Sequence, residues 1–255
     1  GRRQRQMCIR DSIKGGTANY EQDKAGIESL ALNLAAEAGT KHMTKEEYHT
    51  LLEQYGTTIG ANLNYDFTEL TLRCVKQNWD KSWQLYTKVI KDPLFNVADF
   101  EIEKEKLINA AKQESSDPDA HLRNMGMAFA FPTGPYSKSY VGTEESISAL
   151  TLEEVMAYYK SLFVKSKCFL VVVGDISQED LRKKVEMSLG KMPEGKFSGI
   201  KINLLQTTKS AIHTEQRDIA TNYIRGIAGA PQKGTREALA MTIAMAVFSL
   251  SLIHI

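Results

Sequence analysis

The sequence predicts an α+β fold: an antiparallel sheet with helices packed on one face, followed by the start of a second, similar unit. Three observations predict it. Strand signals and helix signals fall in separate blocks, which favours an α+β layer over a doubly wound sheet. The run "TTIGANLNYDFTELTLRCV" alternates and is rich in threonine and branched residues, so it reads as two antiparallel strands joined near Asn64–Asp66. After Pro193 two more strand-like runs, within "AIHTEQRDIATNYIRGIAGAP", lead into the helical "TREALAMTIAMAVF", so the pattern of the first unit begins again.

Each element has its own warrant. "SIKGGTANY" is the end of a strand entering a turn punctuated by Gly15 and Gly16. From Gly26 to Ala38, Ile27, Leu30 and Leu34 recur at helical spacing with alanines between them, which describes a helix buried by its neighbours and closed by Gly39. Thr44 and Glu47 match a capping box, and Gly56 ends that helix. In "NWDKSWQLYTKVIKD", Trp79, Trp83 and Tyr86 share a helical face and read as core. "VADFEIEKEKLINAAKQESSD" is a long charged helix stopping before Pro118. Its charges are expected on a solvated face, with local pairs among Glu101, Lys104 and Glu105. A helix through "DAHLRNMGMAFAF" leads into the Gly/Pro turn "PTGPYSKSYVGTEESI". Thr151 and Glu154 form a second capping box, "KCFLVVVGDIS" is an apolar strand, and "QEDLRKKVEMSLGKMP" is the helix after it.

The expected organisation is a first unit over 13–193, a linker over 194–207 and the start of a second unit over 208–250. Residues 1–12 and 251–255 follow no period of their surroundings and resemble translated sequencing adapter. They are expected to be non-native tails with few core contacts.

Composition narrows the function classes. The chain has 255 residues, 42% hydrophobic and 25% charged, with a net charge of +1. No broad field favours nucleic acid or a membrane surface. No apolar run approaches the roughly 20 residues that span a bilayer. Cys8, Cys74 and Cys168 are too few and too scattered for a disulfide framework or a zinc cluster; Cys74 and Cys168 lie in apolar runs and are expected as buried thiols.

The succession of these stretches resembles the pitrilysin/insulinase-type zinc metallopeptidases and their catalytically silent partners, mitochondrial processing peptidase-like proteins among them. The Gly26 helix ending in Gly39–Thr40, "TKEEYHTLLEQYGTTIGANLNYDFTELTL", "GPYSKSYVGTEESISALTLEEV", "LVVVGDIS" and "ATNYIRGIAGAPQKG" carry the resemblance. Active members hold an inverted H-x-x-E-H on the first helix. Two histidines four apart share a helical face and bind one Zn²⁺, and the glutamate acts on the metal-bound water. Laid on this sequence, those positions fall at Ser29, Leu32 and Asn33, and a further glutamate ligand falls near Ala110 or Ala111. The stretch is one residue longer than the usual form, so the register is uncertain by one, but no histidine occurs before His42. Leucine is no base, and serine and asparagine are poor zinc ligands. The resemblance therefore implies a non-catalytic member, with Ser29, Leu32 and Asn33 as degenerate positions and neither metal nor cofactor on the chain.

Other chemistry is thin. His42 sits in a turn. His49 lies on a charged helix between Glu46 and Glu53, an arrangement more typical of surface ion pairs. His121 and His213 stand alone in sequence. No G-x-S-x-G elbow, P-loop or dinucleotide fingerprint is present. The resemblance implies an inactive partner or half of a zinc peptidase, helping to form a chamber around an extended peptide, with an active homologue or a fused catalytic half as partner. Two alternatives stay open: a piece of a double-length active peptidase, or a purely structural scaffold subunit. The compartment is unassigned, a bacterial periplasm or envelope among the options.

Overall fold

The computed structural model describes residues 6–199 and 210–251. At its centre four antiparallel strands run in the order β2-β3-β1-β4: β1 is Gln6–Lys14, β2 Thr58–Leu63, β3 Phe67–Val75 and β4 Cys168–Val173. β2 and β3 form the hairpin expected around Asn64–Asp66. Strand alternation sorts the side chains. Met7, Ile9, Ile13, Leu70, Leu72 and Cys74 are buried on one face. Arg10, Arg73, Phe169, Val171 and Val173 lie exposed on the other. The helices cover the first face only, which is the layered α+β arrangement.

The helices are α1 (Ile27–Glu37), α2 (Lys45–Tyr55), α3 (Trp79–Lys91), α4 (Val97–Ser116), α5 (Pro118–Ala130), α6 (Glu144–Ser148), α7 (Leu152–Leu162), α8 (Gln178–Leu189) and α9 (Arg236–Ser251). Both capping boxes form. Thr44 Oγ1 accepts from the Glu47 amide at 3.2 Å while Glu47 Oε2 accepts from the Thr44 amide at 2.8 Å, and Thr151 and Glu154 repeat the pattern. Trp79, Trp83 and Tyr86 of α3 are buried, with Tyr86 donating to the Leu70 carbonyl at 2.7 Å. α1 lies between β2, α3, α4 and α7. Among the described residues no helix is long and apolar enough to cross a membrane.

Three expectations need correction. The segment read as a tail over 1–12 supplies β1, which sits between β3 and β4, so Gln6 onward is central to the sheet. Its alternation was masked by Asp11, which occupies a core-facing position in the row Met7, Ile9, Asp11, Ile13 and is 3% exposed. Across the ladders Asp11 faces Leu70 on one side and Leu170 on the other. Among the described residues the strand-like runs in 211–231 form no ladder, and none of the four strands lies beside them to take their backbone hydrogen bonds. On α4 the charges are not all solvated. Glu103 is buried and pairs with Lys106 at 2.6 Å, and Lys104 donates to the Leu150 carbonyl at 2.8 Å instead of pairing with Glu101 or Glu105. Cys74 is buried as expected and Cys168 is half-buried. Of the linker, 200–207 lies outside the described residues, as do 1–5 and 252–255 of the two tails.

Candidate functional site

The site begins with α1, where the resemblance places the degenerate metal positions. The chain enters this helix through Gly26, whose φ is 92°, a left-handed conformation that favours glycine. A Cβ there would stand 2.7 Å from the Val141 carbonyl oxygen. A Cβ on Gly142 would stand 2.7 Å from the Ala25 carbonyl oxygen and 2.9 Å from Gly26 Cα. The two backbones cross with no room for a side chain between them. Ser146 Oγ donates to the Ala25 carbonyl at 2.8 Å and fastens α6 to the same crossing.

Beyond Gly26, every residue of α1 is buried except Asn33 and Glu37. Ser29 is 2% exposed, Leu32 is fully buried in the hydrophobic core, and Asn33 is half-buried. The four-residue spacing puts Ser29 and Asn33 on one stripe of the helix. On α4, which packs against α1, Ala111 is buried and Ala110 exposed. These positions offer a hydroxyl, an amide and methyl groups, and no imidazole or carboxylate.

One carboxylate does lie here, and it is already engaged. Glu28, 1% exposed in the first turn of α1, accepts from Thr68 Oγ1 of β3, from the Tyr158 hydroxyl of α7 and from Asn19 Nδ2 at 3.3 Å. Burial raises its proton affinity above the ordinary carboxylate range, and the hydrogen bonds from Thr68, Tyr158 and Asn19 and the charge of Lys167 oppose that rise. Tyr20 packs edge-on against Tyr158 at 6.3 Å. The sequence reading passed over this node. Its one signal is a glutamate in an otherwise apolar, alanine-filled helix; nothing nearby in sequence marks Thr68 or Tyr158 as its partners.

Zinc does not fit this constellation. Leu32 is sealed in the core, Ser29 and Asn33 are weak ligands, and both oxygens of Glu28 are taken by protein donors. No group of three or more His, Cys, Asp or Glu converges as a ligand set among the described residues. The remaining histidines have local duties. His49 Nε2 meets the Glu37 carbonyl at 2.9 Å, beside a cavity of about 340 Å³ lined by Glu37, His49, Glu53 and Ile59. His42 lines a shallow hollow with Glu46. His121 and His213, solitary in sequence, both gain partners: His121 meets Glu215 and His213 stacks on Phe129.

The geometry can be set beside known proteins. The non-peptidase homolog YmxG of Helicobacter pylori is 24% identical over 185 residues, 72% of this chain and 43% of that protein. The zinc protease PqqE of the same organism is 22% identical over 187 residues, 71% of this chain and 41% of its own length. The crystal structure of a peptidase M16 inactive domain from Pseudomonas fluorescens shares the fold, with a TM-score of 0.71 at 18% identity over 79% of this chain and 49% of that one. The chain thus spans less than half the length of the curated relatives it matches. Residues 149–252 match the family profile described as the peptidase M16 inactive domain, and residues 5–144 match the insulinase profile. The chain belongs to the insulinase family, peptidase family M16.

Proposed function

We propose that this chain is a non-catalytic partner or half of an M16 zinc peptidase, supplying wall and peptide-positioning surface to a chamber whose zinc is bound elsewhere. One observation carries the reading. The helix on which the family's active members hold their metal presents Ser29, Leu32 and Asn33, with Leu32 buried in the core. A free sheet edge supports the wall role. β2 has a partner on one side only among the described residues and lies against α1. Its outer backbone groups can pair with an extended peptide by strand addition. The kinship with both a non-peptidase homologue and a zinc protease fits such a division of labour.

The test is reconstitution. The full-length protein is produced with a zinc-bearing homologue from the same source, and cleavage of an unstructured peptide is followed with and without it. Complex formation and faster cleavage are expected. An equally active homologue that forms no complex would replace this reading with the scaffold alternative. Elemental analysis after dialysis against a weak chelator should find no stoichiometric zinc on this chain. One tightly held zinc that is lost with Asn33→Ala would overturn the degenerate-site assignment.

A further inference from the structure

The cavity of about 340 Å³ beside His49 lies between three elements. The end of α1 supplies Ala36 and Glu37, α2 supplies His49, Leu52 and Glu53, and the first residues of β2, Ile59 among them, close it. No residue of β3 lines it, so it opens on the side of β2 that carries no partner strand among the described residues. Its floor is apolar, since Ala36, Leu52 and Ile59 are all buried. Its charged groups are acidic. Glu37 is half-buried and Glu53 exposed, and among the described residues neither pairs with a lysine or arginine. Lys106 senses the charge of Glu37 but is held by Glu103 at 2.6 Å. His49 turns Nε2 to the Glu37 carbonyl at 2.9 Å, and that nitrogen carries the proton because a carbonyl oxygen only accepts. Glu37, His49 and Glu53 do not converge as a set of metal ligands.

We propose that this cavity receives one lysine or arginine side chain of an extended peptide added along β2, and so selects peptides with a basic residue at that place. The inference deepens the strand-addition reading above and rests on it. In a strand added to β2, side chains alternate between the two faces of the sheet. Those on the helix-covered face follow the row of Ile59 and Ala61, both packed with the core. The residue level with Ile59 is the one the cavity can receive. Its neighbours on either side point to the other face of the sheet, and the next on this face stands level with Ala61. A basic side chain suits the lining from end to end. Its methylene stem lies on Ala36, Leu52 and Ile59 while its cation reaches Glu37 and Glu53 nearer the solvent. A carboxylate in the same place would face two of its own sign. A neutral aliphatic side chain would leave both glutamates without a cation.

Binding is the readout and cleavage is not, so no zinc-bearing partner enters the assay. Unstructured dye-labelled peptides, otherwise identical, carry lysine, norleucine or glutamate at one position, which is moved along the peptide. Affinity for the full-length protein is read by fluorescence anisotropy. Expected is one position at which lysine binds about fivefold tighter than norleucine, the worth of a favourable exposed ion pair. Glutamate should bind most weakly there, and the differences should shrink as salt is raised. Glu37→Gln together with Glu53→Gln should bring the lysine peptide to the norleucine value. Neither carboxylate is buried, so the variants keep the fold, which thermal unfolding checks. Lysine and norleucine peptides bound equally at every position would overturn the cavity assignment and leave strand addition standing. A lysine advantage that survives the double substitution overturns it as well, because the cation then sits elsewhere. Peptides that fail to bind whatever their composition would overturn strand addition, and this inference with it.

Discussion

Replacing Asp11 by valine should stabilise this protein, and by more at alkaline than at acid pH. Asp11 stands in the core-facing row of β1, with Leu70 and Leu170 across the ladders and the rings of Tyr86 and Tyr159 among the buried groups whose proton affinity its charge raises. Burial pushes its carboxyl from an ordinary 3.8 up to about 7. Below about pH 4 the group is neutral folded and unfolded, and it costs no charge burial. As pH rises the unfolded chain releases the proton first, so stability falls until the folded carboxyl ionises near 7. The rise of roughly three pH units, at about 1.36 kcal/mol each, amounts to about 4 kcal/mol lost by neutral pH. Asp11→Asn removes that slope while keeping a polar group. Asp11→Val removes it and adds the roughly 1.5–3 kcal/mol of burying an aliphatic side chain. Urea denaturation of the three proteins at several values between about pH 5 and 8 measures the difference, which should grow with pH. Glu28, also raised by burial, contributes a slope of the same sign to all three and cancels on subtraction. A valine variant no more stable than the parent at pH 8, or a gain independent of pH, would refute the argument.

Other consequences are accessible to the same methods. Tyr158→Phe deletes one donor to the buried Glu28 carboxylate and should cost about 1–3 kcal/mol. The loss should be larger at pH 8 than at pH 5, because the hydroxyl favours the ionised form; a flat loss would place the cost in packing. Gly26→Ala should cost at least about 2 kcal/mol in thermal unfolding, from left-handed backbone and from collision with the Val141 carbonyl. Gly56→Ala is its control, since Gly56 has a φ of 57° with open space around it and should cost only about 1–2 kcal/mol. Equal losses at the two positions would show that the Gly26–Gly142 crossing is softer than its geometry.

Much of the fold was legible because its signals are local. The capping residues Thr44 and Thr151, the β2–β3 hairpin and the aromatic stripe of α3 all rest on neighbours within a few residues. Of β1 only the end at Ser12–Lys14 was legible; the rest was not, because one aspartate interrupts its apolar row and the ladders that define it come from β3 and β4. The runs around 211–231 have the composition of strands, but among the described residues they find no ladder, and side chains such as Arg217 and His213 meet α4 and α5 instead. Ser29, Leu32 and Asn33, where the resemblance puts the metal positions, were readable as residue types. Their burial, and the Glu28 node that occupies the space beside them, depend on Thr68 and Tyr158, which are far away in sequence and meet Glu28 only in the fold.

The placement of β1 has a bearing on how the molecule is made. Among the described residues β1 is an inner strand, and it bonds to β4, so that Cys8 pairs with Val173. During synthesis β1 emerges before β2, β3 and β4, so one of its edges stays open until β4 has left the ribosome. The β2–β3 hairpin can dock on the other edge much earlier. The nascent chain thus passes through a three-stranded stage whose exposed edge is able to capture a strand from another chain. Such distant pairing also lengthens the search for the native state. Yield should respond to translation speed and to holding chaperones more than the stability of the finished sheet would suggest.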